Sequence, residues 1–385
     1  MQSAKPLFKG WDPRGYGITC WNIEGTVDGS MEELLIKDSW ISEGWTPEYG
    51  CFEDAAGTPG IAALVDWEDC VQLRHEGSQK PKSIWNRTKR RLVSSRYGSP
   101  VCNFKTDLEF LCVVSDAIDT HEELVEQDIL HWDISTANIL VIRSPTIPWH
   151  SILIDLDLAV MPPSVERAPV NCRTGTRESQ SINVLDRSRM GVPTLPHSYL
   201  DDLESFFWVF CIIVTGYDCN GKRVEPPPEC IQGWRNADKH AANAKMAFLF
   251  APPLAPVDLT WGKQVQRLFW DLRRFFMDMT LLVSDVAAGR SEMTMEELFS
   301  KRVEHYKTVR GHIKKAIDAI KAEEKNDHPN ILHRGSQSPS VVALSASGAG
   351  RRTPRCDQFE GRGHRGACSG KGYALLHAAS SVGRT

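Results

Sequence analysis

From Asp107 to Gln127 the apolar residues Leu108, Leu111, Val114, Ala117, Ile118 and Leu124 recur at helical spacing, which gathers them on one face of a 3.6-residue turn. The pattern predicts one long amphipathic helix. Further along, Phe206-Phe207-Trp208-Val209-Phe210-Cys211-Ile212-Ile213-Val214 is apolar on all sides, so a helix there is buried. Helical patterns also cover Trp234 to Phe250, Gln264 to Val283 and Val303 to Lys325. The chain before them reads differently. Tyr16 to Trp21 alternates, Glu33-Leu34-Leu35-Ile36-Lys37 is a second strand candidate, and turn residues separate them, so residues 1–93 form a small strand-rich lobe. Two further strands, Ile139 to Arg143 and Ile152 to Asp155, are joined through Ser144-Pro145-Thr146-Ile147-Pro148 in a hairpin-type connection. Residues 160–196 show little periodicity and read as a long loop, usually a functional one in a compact domain. The expected class is α+β.

Composition adjusts this picture at the end of the chain. With 385 residues, 41% apolar and 24% charged, the protein can bury a full core. A net charge of -4 gives the body no electrostatic case for nucleic acid. From Ile331 onward, eight Lys or Arg face two acidic residues among Ser, Gly and Ala. Such a segment buries too little to offset its ordering entropy, and residues 326–385 are expected to be a disordered basic tail. The 11 cysteines, without CxxC pairs, read as reduced thiols. Cys356, His364 and Cys368 lack a fourth zinc ligand. The N-terminus carries no apolar signal core, and Phe206 to Val214 is far short of the ~20 residues a membrane span needs. A cytoplasmic or nuclear location without membrane contact is expected, which makes the sequon Asn86-Arg87-Thr88 incidental.

The chemistry concentrates in His131-Trp132-Asp133-Ile134-Ser135-Thr136-Ala137-Asn138, where a carboxylate and a carboxamide stand five residues apart ahead of a strand. A second carboxylate follows in Ile152-Leu153-Ile154-Asp155-Leu156-Asp157-Leu158-Ala159. This is the layout of a phosphoryl-transfer site, with one Asp to take the acceptor proton and the Asn and second Asp to hold magnesium. Each residue alone would pass as a turn residue.

With Leu35-Ile36-Lys37-Asp38-Ser39-Trp40, Arg173-Thr174-Gly175-Thr176 and Asp201-Asp202-Leu203-Glu204-Ser205-Phe206-Phe207 added, the chain resembles the fungal-type protein kinase family over roughly residues 14 to 285. The resemblance implies a bilobal protein kinase-like fold: a small antiparallel β-rich N-lobe (1–93), a larger helical C-lobe (94–325) and the tail. It implies ATP and Mg2+ as cofactors and a protein substrate. Asp133 resembles the catalytic aspartate, and Asn138 and Asp155 the metal ligands. Asp157, where most kinases carry Gly, is a further candidate to reach the metal. Lys37 resembles the strand lysine that neutralises the α and β phosphates, and Glu48 its helix partner, with Glu43 and Glu53 as alternatives. Gly44 and Pro47 are poor helix formers beside it. Gly15 and Gly17 match a remnant of the Gly-rich loop whose third glycine is missing. His131 and Asp202 resemble structural supports of the catalytic loop, Asp202 also being a candidate N-cap of the buried helix.

Four departures matter. Trp132 replaces the Arg that pairs with a phosphorylated activation loop, and an indole there tends to desolvate Asp133 and raise its pKa. Ser135 replaces a lysine. Glu178-Ser179-Gln180 replaces an apolar Pro-Phe-Met, and Asn183 stands where a Glu anchors the end of the segment, a loss worth up to a few kcal/mol if its Arg partner stays buried. The leading expectation is an ATP- and Mg-dependent serine/threonine protein kinase. Its alternatives are a small-molecule kinase on the same fold and a pseudokinase acting as a binding module. Nucleic-acid binding through the tail would be weak and salt-dependent.

Overall fold

The computed structural model describes residues 6, 8–9, 17–27, 29–42, 47–73, 86–95, 98–143, 150–160, 175–186, 195, 197–251 and 257–327. Gly15, Arg173, Thr174, the Ser144–Pro148 connection, Glu43, Gly44 and the tail with its Cys-His-Cys trio lie outside the described residues.

The N-terminal region is an antiparallel sheet of five strands: β1 (Phe8–Lys9), β2 (Thr19–Val27), β3 (Ser30–Ser42), β4 (Leu64–Leu73) and β5 (Arg87–Ser95), in the order β1-β2-β3-β5-β4. Its central strand is β3, whose run of Leu, Ile and Trp suits a pleated, half-buried surface. The register sets Lys37 opposite Cys20 on β2 and Leu92 on β5, so these three side chains share one face. Helix α1 (Glu48–Asp54) follows β3; Pro47 takes its N-cap position, where its missing N–H costs nothing.

The chain then turns through Gly57-Thr58-Pro59-Gly60. At Gly60, φ is +83° and a Cβ would stand 2.0 Å from the Thr120 hydroxyl oxygen, so only glycine fits. That close approach lets the Gly60 carbonyl accept from Leu153 N at 2.8 Å, tying α1 to the strand that ends before Asp155.

The expected amphipathic helix is α2 (Asp107–Glu126), capped by Thr106, whose hydroxyl accepts from Glu109 N. A small sheet, β6 (Ser99–Pro100), β7 (Ile139–Ile142) and β8 (His150–Leu153), places the two predicted strands antiparallel. Within the expected loop lies a short helix, α3 (Ile182–Leu185). Helix α4 (Tyr199–Gly216) is buried at every position. Around it stand α5 (Glu229–Trp234), α6 (Asp238–Phe250), α7 (Lys263–Ala287), α8 (Met295–Ser300) and α9 (Arg302–Asp327). The single helix predicted from Trp234 to Phe250 is therefore corrected: α5 ends at Trp234, and α6 starts afresh at Asp238. Gly233 and Asn236 are weak helix formers, and the fully buried Trp234 fixes the end of α5 in the core.

Aromatic packing joins these helices: Phe207 stacks on Phe276, and Trp208 meets Trp234 edge-on. Burial of each such ring contributes on the order of 3 kcal/mol. Among the described residues no helix is long and apolar enough to cross a membrane, and the described cysteines are all free. The α+β class agrees with expectation: an antiparallel sheet first, helices after.

Candidate active site

Lys37 projects from β3 into a cluster of three carboxylates. Its ammonium lies 3.0 and 2.9 Å from the two oxygens of Glu48 and 2.7 Å from Asp155 Oδ1. Asp157 Oδ2 is 2.6 Å away, an ion pair without hydrogen-bond geometry. Glu48 comes from the first turn of α1, and its Oε1 also accepts from Leu156 N at 3.1 Å. Asp155 is left-handed (φ 69°, ψ 69°) and begins a 3₁₀ turn over Leu156–Leu158. This turn brings Asp157 back to the same ammonium.

The charges do not balance. Burial would lower the Lys37 pKa, but Asp155, Asp157 and Glu48 together hold it well above its ordinary value. For Glu48, burial and the neighbouring Asp157 push the carboxyl well above its range despite Lys37. Asp155 goes the other way: burial opposes ionisation, yet the Lys37 charge and hydrogen bond keep it below the usual carboxylate range. One cation thus faces three acids, and of these burial and like charge raise Glu48 while the ammonium lowers Asp155.

The loop between α2 and β7 carries the other group. Asp133 Oδ1 accepts from Thr176 N at 2.7 Å, and Asn138 Nδ2 donates to the Asp133 carbonyl at 2.9 Å and to its Oδ2 at 3.1 Å. Burial, reinforced by the charge of Asp155, pushes the Asp133 carboxyl up to about 7 against these hydrogen bonds. The direction is the expected one, although the Trp132 ring itself stacks on His197, with centroids 4.9 Å apart. Gly175 makes the Thr176 contact possible: at φ +106°, a Cβ would stand 3.1 Å from the Trp132 carbonyl and 3.4 Å from Asp133 Oδ1. The main-chain carbonyl of Asn138 accepts from Ile154 N at 3.1 Å, joining this loop to the Asp155 turn.

Beneath the loop lies Asp202. Its Oδ2 accepts from the backbone N–H groups of His131 (2.9 Å) and Trp132 (3.2 Å) and faces His121 Nε2 at 3.0 Å, while Oδ1 faces His197 Nε2 at 2.8 Å. Burial would raise this carboxyl, but the two histidines outweigh it and hold it well below the usual range. The N-cap role is corrected: Ser198 caps α4 in a capping box with Asp201, which leaves Asp202 to the loop. His131 closes a ring of its own, Nδ1 accepting from Asp133 N at 3.3 Å and Nε2 donating to the Ile154 carbonyl at 3.1 Å.

The segment after Thr176 is held by other groups than the Glu missing at Asn183. Lys245, fully buried on α6, donates to the Gln180 carbonyl and sits 4.5 Å from the Trp208 ring centroid. Glu204 on α4 accepts from Ile182 N at 2.9 Å and Trp208 Nε1 at 2.8 Å. Asp201 takes Ser181 Oγ at 2.6 Å and Asn183 Nδ2 at 3.1 Å. The anchoring groups therefore come from the helices: Lys245 and Glu204 grip the segment's backbone, and Asp201 its Ser181 and Asn183 side chains. Burial pushes Glu204 up to about 7 and Lys245 down to about 7.

Of the residues predicted from sequence, Lys37, Glu48 and Asp155 meet in one cluster; Asp133 and Asn138 meet in a second, which Asp155 reaches through its charge; and His131 and Asp202 lie under the latter. Glu53, the other described candidate for Lys37, instead takes Trp67 Nε1 at 3.3 Å. Gly17 has φ +50° and lies beside the Trp40 ring. Sequence reading missed His121, Glu204, Lys245 and Tyr306. For Glu204 the DDLES run was a pointer; a lysine within a helical pattern offered none.

Comparison with known proteins adds one finding. The family model described as fungal protein kinase matches residues 71–214, a stretch holding Asp133, Asn138, Asp155 and Asp202 but not Lys37 or Glu48. No curated protein matches the chain.

Proposed function

We propose, from a match that supports membership of the fungal-type protein kinase family, that this chain is an ATP- and Mg2+-dependent protein kinase transferring the γ-phosphate to serine or threonine hydroxyls. The observation that carries the reading is the convergence on one ammonium of Glu48, Asp155 and Asp157, Asp155 lying 118 residues from Lys37 in the chain. In this reading residues 1–93 and 94–325 act as the two lobes of the kinase fold.

The donor set fits a hard divalent cation. Glu48, Asp155 and Asp157 offer oxygens within 4.8 Å of one another, all of a type that Mg2+ accepts, with more negative charge than Lys37 balances. Asp155, Asp157 and the side-chain amide oxygen of Asn138 would hold the ion, which when bound supplies charge neutralisation at the phosphates. Lys37, fixed by Glu48, places its charge on the phosphates as well. Asp133 takes the proton of the attacking hydroxyl; a carboxyl pushed up to about 7 is matched to proton acceptance near neutrality. The Thr176 N–H and the Asn138 amide aim that carboxylate, and the gripped segment after Thr176 gives a polypeptide substrate a firm floor.

Two measurements test this. In a thermal melt, Mg-ATP at a hundred times its dissociation constant should stabilise the wild type by ~2.7 kcal/mol, a rise of about 5 °C, and should leave Asp155→Asn almost unmoved. Labelled γ-phosphate should pass to a generic protein substrate with wild type and fall at least a hundredfold with Asp133→Asn. A melt indifferent to Mg-ATP refutes the proposal. Binding without transfer would establish a binding module instead, and transfer only to small alcohols a small-molecule kinase.

A further inference from the structure

We infer that Tyr306, on the helix α9 that follows the family-matched segment, is a positioning residue for the catalytic loop, acting through His121 and Asp202 on the backbone of His131 and Trp132. The inference rests on the proposed kinase reading for its consequence in catalysis, but not for its geometry.

The chain of contacts is continuous and buried. Tyr306, His121 and Asp202 are each 0% exposed. The Tyr306 hydroxyl lies 2.7 Å from His121 Nδ1, His121 Nε2 lies 3.0 Å from Asp202 Oδ2, and that same oxygen accepts from His131 N and Trp132 N at 2.9 and 3.2 Å. Four separate parts of the chain meet here: α9, α2, α4 and the loop. One arrangement satisfies every group with a single ring proton. Asp202 is an acceptor on both oxygens, so His121 donates through Nε2–H, and Nδ1 is left to accept the Tyr306 hydroxyl proton.

A phenyl ring would fill the same space, so what the oxygen of Tyr306 supplies is the hydrogen bond that orients the His121 ring. Without it, Nδ1 is left without a partner inside the protein, and the ring that donates to Asp202 is held at one end only. The loop is the element that feels this. Trp132 holds φ +63°, a left-handed backbone uncommon for a bulky aromatic. Such a conformation persists only while the surrounding hydrogen bonds over-determine it, and the Asp202 carboxylate supplies one directly through Trp132 N. Loosening Asp202 therefore shifts the residue next to Asp133.

The molecule contains its own control. Tyr199 on α4 meets His305 on α9 at 2.9 Å, a second buried tyrosine–histidine pair that shares α9 with the first and whose rings, among the described residues, make no hydrogen bond to Asp202. A merely structural role predicts equal consequences for the two hydroxyls.

The experiment compares full-length wild type, Tyr306→Phe and Tyr199→Phe by hydrogen exchange over residues 128–138, by melting, and by steady-state kinetics with ATP and a protein acceptor. Expected for Tyr306→Phe is faster exchange at His131–Asp133 and a kcat lowered about three- to tenfold, with KM for ATP within about twofold, the scale of one buried hydrogen bond passed to the loop. Tyr199→Phe should match it in melting and differ in the other two. Equal exchange at the loop in the two variants overturns the inference. Should the wild type transfer no phosphate, the kinase reading falls, while the exchange comparison still decides this one. If Tyr306→Phe does not fold, 15N-labelled histidine spectra of the wild type serve: His121 protonated on Nε2 supports the chain, and protonation on Nδ1 alone ends it.

Discussion

Asp202→Asn is the substitution whose cost follows most directly from the geometry. The carboxylate meets four N–H groups, three on Oδ2 and one on Oδ1. A carboxamide has a single acceptor oxygen. Its least costly orientation keeps that oxygen towards His121, His131 N and Trp132 N and turns the NH2 to His197, which forfeits one charge-assisted hydrogen bond and weakens three to neutral ones. At about 1.5–3 kcal/mol for a bond to a charged group against ~1 for a neutral one, and with partial relief from no longer burying a charge, the net loss is about 2–4 kcal/mol. At roughly 2 °C per kcal/mol for a domain of this size, the melting midpoint falls by about 4–8 °C at pH 7. The pH profile sharpens the test. The Asp202 carboxyl is depressed in the folded protein, so its stabilisation is fully present above the unfolded value near ~3.9 and is lost as the pH falls below it. The gap between wild type and variant should narrow by about 1.3 kcal/mol between pH 7 and pH 3. Paired melts at a series of pH values measure both. A midpoint within a degree of wild type at pH 7, or a gap of constant width down to pH 3, would refute the reasoning.

Two further outcomes follow from the site. Asp157→Asn removes one of three acids around Lys37; without divalent cation the variant should melt at or above wild type, while the Mg2+-dependent rise in midpoint shrinks by at least half, both read by calorimetry with and without MgCl2. Gly175→Ala forces a Cβ into a backbone at φ +106° beside the Trp132 carbonyl; backbone strain of about 1–3 kcal/mol should displace Thr176 N from Asp133 and lower phosphate transfer at least tenfold, and an unchanged transfer rate would show that the Thr176 contact does not aim the carboxylate.

Much of this was legible because local pattern and global fold agree. The α2 stripe and the apolar run of α4 each state their own burial, and the two short strands before Asp155 are bounded by turn residues. The Lys37–Glu48 pair was legible only through family resemblance, since a proline before a seven-residue helix carries little helical signal of its own. What escaped sequence reading was decided by tertiary packing. Lys245 looks like a solvated lysine until α6 is laid against α4, and Tyr306 stands 185 residues from the histidine it meets. The start of α8 is written in Thr294-Met295-Glu296-Glu297, a capping box, whereas the break between α5 and α6 hides inside a continuous apolar rhythm.

Helix α4 carries a consequence for anyone who handles this protein in pieces. No residue from Tyr199 to Gly216 faces water, and its sheath comes partly from Phe276, Trp234 and Tyr306, all beyond residue 214. A fragment trimmed to the family-matched stretch would keep the greasiest rod in the molecule and discard its wrapping, inviting sticky, insoluble material. Recombinant boundaries therefore belong beyond α9, however short the recognisable signature is.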